Sequence, residues 1–170
     1  MTAAPGDDAP AAAFAVRDAA PADVPAVLRL VRAPAAYERL EHRCVAEEEA
    51  IHRALFGSPP YCRAVLAEAE GREVGIALWH TTFSTFSGRP GYWLEDIFVE
   101  PHRRGIGIGR ALLAELARRL AAEGGNHIAW RVLRWNEPSI AFYRGLGAEG
   151  DPGDWEGMSL SGEALARLAR

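Results

Sequence analysis

A glycine-spaced loop holds the residues whose types and spacing most clearly suit chemistry. In the segment RGIGIGR, residues 104–110, glycine occupies every second position. Glycines so spaced let successive backbone N–H groups converge on one point. The helix predicted to begin at about Gly109 directs its unpaired amides and the positive end of its dipole at the same point. The segment therefore predicts a cradle for phosphate groups, with charge from Arg103, Arg104 and Arg110.

Two common glycine-loop fingerprints do not fit this segment. A nucleoside triphosphatase loop ends in Gly-Lys-Ser or Gly-Lys-Thr, whereas this chain has Gly109-Arg110-Ala111. A dinucleotide fingerprint places glycines at its first, third and sixth positions in an early βαβ unit, whereas these alternate and lie late in the chain. An ordinary glycine turn with surface arginines remains the alternative to a polyphosphate loop.

Length and composition predict one globular domain. The 170 residues are 49% hydrophobic and 25% charged, so we expect a single domain over 13–170 after a disordered tail at 1–12. The net charge of −4, without a long basic stripe, argues against nucleic acid as a partner. Cys44, Cys62 and five scattered histidines indicate neither a disulfide framework nor a metal site. We therefore expect a metal-free protein. No apolar run is long enough for a membrane span, so we also expect the protein to be cytoplasmic.

Hydrophobic periodicity predicts the elements that position the loop. The first half is predicted to begin with a strand at 14–17, a helix from Val24 that Pro34 ends or bends, and a connector at 35–39. A helix beginning at 47–49 and strands at 61–69 and 73–83 are predicted to follow, and a turn at 88–91 leads into a third strand at 92–99. The second half is predicted to hold a helix from Gly109 to Gly124, a strand at 127–133 parallel to 92–99, a helix capped by Asn136, a strand at 155–160 and a helix capped by Ser161.

Three blocks of sequence carry a family resemblance. Residues 92–99 (YWLEDIFV), 104–109 (RGIGIG) and 135–143 (WNEPSIAFY) resemble the diamine acetyltransferases, the spermidine/spermine N1-acetyltransferase group of the GCN5-related N-acetyltransferase (GNAT) superfamily. The resemblance runs from Phe14 to about Leu168, although residues 70–91 and 149–157 match poorly. It implies an α+β GNAT fold, with three α/β/α layers and a mixed, mainly antiparallel sheet splayed at two parallel strands. It also implies a homodimer.

The resemblance further implies acetyl-CoA as cosubstrate. Its pantetheine arm would pair with the strand at 97–99, its pyrophosphate would rest on the loop at 104–110, and the turn at 136–139 would support the arm. The cofactor-binding residues implied are Ile97, Phe98, Val99, Arg104, Gly105, Ile106, Gly107, Ile108, Gly109, Arg110, Asn136, Pro138, Ser139 and Tyr143.

Proton transfer decides the candidate catalytic residues. A primary amine has a pKa near 10.4, so at pH 7 only about one molecule in 10³ to 10⁴ is the free base that attacks a thioester. Glu95 is the predicted proton acceptor, and a salt bridge at a strand edge is its alternative role. Asp96 would point to the opposite face of a regular strand, so both carboxylates serve one site only if the strand is bulged. Tyr143 matches the family tyrosine beside the leaving thiolate, and core packing is its alternative role.

The acceptor is predicted to be a small-molecule amine. The candidate acceptor-binding residues are Tyr37, Glu38, Glu95, Asp96, Trp130 and Arg131, with a further carboxylate from Asp151, Asp154 or Glu156. Arg134 stands where the group has an acidic residue, and it would repel a long polycation if its side chain faced the groove. A short diamine or a thialysine-like amino acid remains compatible, and Arg131 makes an acceptor with a carboxylate a serious alternative.

Two other functions stay open on the sequence. A GNAT enzyme that acetylates a protein or peptide amine would have an open groove near Glu95 rather than a closed pocket. A non-catalytic acyl-CoA-binding module would need neither Glu95 nor Tyr143 for its function.

Overall fold

The computed structural model describes residues 14–150, 153, 158–159 and 161–169. The chain divides into two compact units, Met1–Arg131 and Val132–Arg170, and each is described by itself. The predicted tail at 1–12 and the acidic candidates Asp151, Asp154 and Glu156 lie outside the described residues, as does most of the predicted strand at 155–160. The single domain over 13–170 stays a prediction.

The first unit is built on a five-stranded sheet in which the strands lie in sequence order. The first four strands pair antiparallel and the last pair is parallel, so the predicted mixed, mainly antiparallel sheet is confirmed. The strands are β1 (Phe14–Asp18), β2 (Arg63–Ala69), β3 (Arg72–Ser84), β4 (Arg89–Val99) and β5 (Ile128–Ala129).

Helices cover both faces of this sheet, which confirms the predicted three layers. They are α1 (Val24–Tyr37), α2 (Glu48–Phe56) and α3 (Ile108–Ala122). On the α1–α2 face, buried side chains of the helices such as Leu30 and Leu55 pack with Leu66 of β2. On the α3 face, Leu112 and Leu116 pack against the sheet. Burial of such apolar area is the main stabilising term for the sheet, about 25 cal/mol per Å².

Helix α1 continues past Pro34 to Tyr37, so of the prediction that proline ends or bends the helix, the ending and the connector at 35–39 are wrong. Proline lacks only its own N–H, and its carbonyl still accepts a hydrogen bond from the Glu38 N–H at 2.8 Å. The chain leaves the helix at Arg39, whose φ is 59°. As a consequence, Tyr37 and Glu38 lie at the helix end and are held by it.

A two-residue turn closes the β2–β3 hairpin, one residue shorter than the separation between the strands predicted at 61–69 and 73–83. Glu70 and Gly71 have φ values of 55° and 72°, the left-handed pair that matches strand twist in two-residue hairpins. Ala69 therefore pairs with Arg72 and Glu68 with Glu73, and the register then shifts by one residue, so that Ala67 pairs with Gly75.

The parallel edge departs from the sequence prediction in two ways. β4 begins at Arg89 rather than after Gly91, because residues 89–91 pair with the end of β3. β5 spans two residues instead of the predicted 127–133, and it pairs with β4 only through Tyr92 and Trp93. In the described part of the chain no strand pairs with this side of residues 94–99, which agrees with the splay implied by the family resemblance.

The second unit contains α4 (Glu137–Gly145) and α5 (Gly162–Leu168). Asn136 caps α4 as predicted, since its side-chain oxygen accepts a hydrogen bond from the Ser139 N–H at 3.4 Å. Ser161 is the N-cap residue of α5 but makes no side-chain capping bond. None of the helices in the described residues has the length and apolar character that crossing a membrane requires.

Candidate active site

A bulge in β4 inserts Glu95 into the sheet as an extra residue. Leu78 of β3 pairs with Asp96 and the next residue, Trp79, pairs with Leu94, so Glu95 has no partner of its own. A bulge interrupts the alternation of side chains and bends the strand, and bulges are frequent beside active sites. The condition that the sequence set for Glu95 and Asp96 to share one site is therefore met.

The packing on either side of the bulge shows which face the two carboxylates occupy. Before the bulge, Leu94 packs in the α3-side core, so its neighbour Glu95 points to the α1–α2 face. After the bulge, Ile97 packs on the α3 side and Phe98 on the α1–α2 side, so Asp96 shares the face of Phe98. Glu95 and Asp96 consequently lie side by side on the α1–α2 face.

Glu38 from the end of α1 joins these two residues, and we call Glu38, Glu95 and Asp96 the acidic cluster. Burial, followed by the charges of Glu95 and Glu38, raises the pKa of Asp96 to about 6. Burial also raises the pKa of Glu38. Because like charges and low polarity both disfavour ionisation, Asp96 and Glu38 bind protons more readily than isolated carboxylates, and the cluster suits a cationic guest.

His80 and Cys62 also border Glu95, and sequence reasoning missed both as site residues. The His80 Nε2 atom lies 3.3 Å from Glu95 Oε1. Burial, and then the charge of Glu95, raises the pKa of the Cys62 thiol. A signal for His80 existed, because it lies two residues from Leu78 in β3 and thus on the same face. Its relation to Glu95 depends on the β3–β4 register, which the sequence does not reveal.

Arg104 lies over the end of β4, and its role as a cofactor-binding residue stays a prediction. Its Nε donates to the Val99 carbonyl at 3.0 Å, and its guanidinium carbon is 5.7 Å from the centre of the Tyr37 ring and 5.6 Å from that of Phe98. These cation–π contacts tie the strand end to α1. Of the predicted acceptor residues, Tyr37 is thereby placed close to the β4 end.

The predicted acceptor residues at 130–131 occupy different environments. Arg131 stacks on Trp93, with its guanidinium carbon 5.5 Å from the ring centre. Trp93 pairs with His80 across the strands and so shares its α1–α2 face. Trp130 instead packs against the α3-side core, and its contact with an acceptor stays a prediction.

The anion cradle has the backbone that the glycine spacing predicted. Gly105 and Gly107 have φ values of 81° and 93°, and a Cβ built on either would meet no atom within 4 Å. Gly107 is the N-cap of α3 and supplies no capping side chain, so the first amides of the helix remain available to an anion. These features fit a phosphate group held by main-chain donors.

The side chains of the cradle divide between core and surface. Ile108 is buried in the α3-side core and Ile106 is exposed. Gly109 and the exposed Arg110 lie in the first turn of α3, and no ion pair of Arg110 is found within the described residues. Arg103, expected to add charge at the cradle, forms an ion pair with Glu70.

Glu100 anchors the chain just before the cradle. Its carboxylate is buried, and Oε1 accepts hydrogen bonds from Arg29 of α1 at 2.6 Å and from Arg72 of β3 at 2.7 Å. Its N–H donates to the Val74 carbonyl at 2.9 Å. A buried carboxylate with two guanidinium partners holds the exit of β4 in one position relative to α1 and β3.

In the second unit, Asn136 and Tyr143 lie at the start and near the end of α4. Asn136 is buried, whereas Pro138 is exposed. The Tyr143 ring contacts the Phe142 ring at a centroid distance of 5.3 Å. The cofactor-binding role of the 136–139 turn and the catalytic role of Tyr143 stay predictions.

A cavity of about 150 Å³ in the first unit is separate from the acidic cluster. Its arginines are ion-paired, Arg63 with Glu123 and Arg119 with Asp18. None of the predicted site residues lines it, since its walls are formed by Asp18, Ala19, Leu55, Phe56, Arg63, Ala64 and Arg119.

Within the described ranges, no group of three His, Cys, Asp or Glu side chains is arranged to hold a metal ion.

Comparison with known proteins places these features in a family. The model of the acetyltransferase (GNAT) family matches residues 27–148. The chain is 34% identical to the thialysine N-epsilon-acetyltransferase of Bos taurus, over 91% of this chain and 96% of that protein. It is 30% identical to spermidine/spermine N(1)-acetyltransferase-like protein 1 of Homo sapiens, over 79% of this chain and 20% of that protein.

The fold is also found among solved structures. An integron cassette protein from the mobile metagenome of V. cholerae superposes with a TM-score of 0.76 at 19% identity, over 92% of this chain and 98% of that chain. At this identity the likeness concerns the fold alone. The family resemblance carried by the three sequence blocks is confirmed by the family model and the two relatives.

Proposed function

Since the chain belongs to the acetyltransferase (GNAT) family, we propose that it transfers an acetyl group from acetyl-CoA to a primary amine of a small molecule. The observation that carries this proposal is the β4 bulge, which brings Glu95 and Asp96 to one face beside Glu38. An amine acceptor arrives as an ammonium ion, and a group of carboxylates both attracts that cation and accepts its proton.

Two features of the first unit fit the cosubstrate. The main-chain amides of the anion cradle suit its pyrophosphate, and Arg104 holds the neighbouring strand end in place. The side of residues 94–99 that β5 does not cover offers backbone groups to an extended amide-containing arm, as in β-strand addition. When bound, acetyl-CoA supplies the activated acetyl group as a thioester.

The residues of the acidic cluster have different proposed roles toward the acceptor. Glu95, half-exposed at the bulge, is the proposed proton acceptor for the amine. Asp96 is more buried, and its pKa of about 6 places its titration closer to neutral pH than that of an ordinary aspartate. We assign Asp96 and Glu38 to binding the ammonium group before and during proton transfer, because Asp96 lies within reach of the charges of both Glu95 and Glu38.

The acceptor class follows from charge on this face. Carboxylates suit one or more ammonium groups, and Arg131 above Trp93 offers a cation for a carboxylate on the same face. The two relatives are named for thialysine and for spermidine and spermine. We propose an amino acid with a side-chain amine, or a short diamine, ahead of a long polyamine.

Further assignments are part of the proposal and rest on the family resemblance. Tyr143 is the acid that protonates the leaving thiolate, and Asn136, Pro138 and Ser139 support the arm of acetyl-CoA. The protein is proposed to be a cytoplasmic homodimer without nucleic-acid or membrane partners. Its chemistry needs no metal, because proton transfer and positioning suffice for acyl transfer from a thioester.

An amine-panel assay tests the proposed function. Purified protein is incubated with acetyl-CoA and thialysine, lysine, ornithine, putrescine, spermidine or a lysine-containing peptide, and released CoA thiol is measured. We expect amine-dependent release with the small amino acids and putrescine, and little with the peptide. Absence of amine-dependent release by protein that binds acetyl-CoA would contradict the proposal, and preference for the peptide would favour a protein-acetylating enzyme.

A further inference from the structure

The His80 ring lies between two oxygen acceptors. On one side, Nε2 is 3.3 Å from Glu95 Oε1, and on the other side Nδ1 is 3.4 Å from the Thr81 carbonyl oxygen. An oxygen of either kind accepts hydrogen bonds and donates none when the carboxyl is ionised. Nε2 lies within ion-pair distance of Glu95 Oε1, and a ring proton on Nε2 is therefore attracted to that oxygen.

This contact engages only one oxygen of the Glu95 carboxylate. With Oε1 facing His80, the second oxygen, Oε2, is left to an acceptor amine. Without a partner, the half-exposed Glu95 side chain would sample several rotamers, and ordering it when the acceptor binds would cost conformational entropy. The contact with His80 orders the side chain beforehand, so acceptor binding does not carry that cost. Holding Oε1 thus presents Oε2 in one orientation before the acceptor binds.

The strand arrangement explains why His80 is suited to this role. His80 projects from β3 on the α1–α2 face and pairs across the strands with Trp93, two residues before Glu95. The register shift lies between Trp79, which pairs with Leu94, and Leu78, which pairs with Asp96, so Glu95 is the extra residue of the bulge. His80 itself belongs to the regular part of the ladder and gives the irregular residue a fixed partner.

We propose that His80 is a positioning residue that holds the Glu95 carboxylate in the orientation that accepts the acceptor amine's proton. This inference rests on the proposed function. In the step concerned, the ammonium group loses a proton to Glu95 and becomes a neutral amine. That amine then forms the new C–N bond to the acetyl carbon as the C–S bond breaks, and the second amine proton leaves as CoA thiol forms.

A double-mutant cycle separates positioning from a general structural effect. The kcat and KM are measured for the wild type, His80→Ala, Glu95→Gln and the double variant. We expect His80→Ala to lower kcat about tenfold with KM for acetyl-CoA changed less than about twofold, and to have almost no further effect when Glu95 is already Gln. His80→Gln, whose amide N–H reaches the place of Nε2, should recover most of the loss.

The matched control is His52→Ala, which removes an exposed histidine of α2 that stacks on Phe56. We expect wild-type kinetics from this variant. The inference is overturned if His80→Ala has wild-type kcat, or if it costs the same factor in the Glu95→Gln background. It is also overturned if His80→Gln is as slow as His80→Ala.

A measurement without turnover distinguishes failure of this inference from failure of the proposed function. The imidazole ¹⁵N resonances of the wild type and Glu95→Gln are compared by NMR. We expect the Nε2 resonance of His80 to shift while the resonances of His52 stay in place. Unchanged His80 resonances would overturn the contact itself, whereas a shifted resonance in a protein that turns over no amine would contradict only the proposed function.

Discussion

Glu95 and Asp96 are adjacent in sequence, and adjacent side chains of a regular strand point to opposite faces. Both carboxylates were candidate site residues on the sequence, and a bulge was needed for both side chains to lie on the same face of the strand. The sequence did not locate the bulge, because Ile97, Phe98 and Val99 are all apolar and so show no alternation in which a break could be recognised. His80 escaped detection for a related reason, since its place beside Glu95 depends on how β3 pairs with β4.

The raised pKa of Asp96 predicts a stability difference that depends on pH. The folded protein keeps the Asp96 proton up to about pH 6, whereas an unfolded chain releases it near the ordinary value of 3.8. Between these values the wild type loses stability as pH rises, by at most about 3 kcal/mol in total. Asp96→Asn removes this loss, so the variant should be more stable than the wild type by about 1 to 3 kcal/mol at pH 8.

Urea unfolding of the wild type and Asp96→Asn at pH 4 and pH 8 provides the measurement. At pH 4 the two proteins should differ little, because the wild-type side chain is then largely protonated and resembles the amide. A stability difference that is the same at both pH values would show that burial and the neighbouring charges do not shift this group.

Tyr143 is assigned from its place in the WNEPSIAFY block, and its phenol is the feature to test. Removal of the hydroxyl in Tyr143→Phe should lower kcat by about 10² to 10⁴, the usual contribution of a general acid, with KM for acetyl-CoA little changed. Tyr61→Phe is the matched control, because Tyr61 is highly exposed. A wild-type kcat in Tyr143→Phe would contradict the assignment of Tyr143 as the proton donor to the leaving thiolate.

At the scale of elements, patterns with strong local causes were predicted well. The leucines of α3 recur at helical spacing and are buried as expected, and the Glu70-Gly71 turn sets the hairpin. Features that depend on distant partners were not predicted. β4 starts early because β3 extends beside it, and β5 is short although its sequence continues to suit a strand. Pro34 lies in the last turn of α1, where the helix continues for three residues beyond it.

The anion cradle gives an element-scale prediction. Alanine at Gly107, where φ is 93°, costs about 1 to 2 kcal/mol because an L side chain clashes with its own backbone in this region. Relief of that strain turns the first amides of α3, so we expect Gly107→Ala to raise KM for acetyl-CoA about tenfold and leave kcat within about threefold. Kinetics at saturating amine measure both constants.

Gly145→Ala is the control for this substitution. Gly145 is the last residue of α4, and an added Cβ there would meet no atom within 4 Å. Its KM should equal that of the wild type. An unchanged KM for acetyl-CoA in Gly107→Ala as well would mean that the cradle does not bind the cosubstrate.

At the scale of the whole molecule, fold and family were accessible from sequence, and the acceptor was not. Three short blocks sufficed to indicate the family because together they place a strand, a glycine loop before a helix and a capped turn into a second helix in a fixed order. The acceptor depends on a few charges whose mutual placement is set by the bulge, by the end of α1 and by Arg131. A shared fold with unrelated acceptors is expected, because specificity lies in site residues. The net charge of −4 agrees with a cationic acceptor but selects none.

The most direct test of the central claim is a crystal structure of the protein with coenzyme A and thialysine. We predict that the pyrophosphate lies on the main-chain amides at 104–110, that the pantetheine arm follows β4 at 97–99, and that the acceptor amine lies within hydrogen-bond distance of Glu95. A pyrophosphate bound away from the cradle, or an acceptor amine distant from the acidic cluster, would contradict the account.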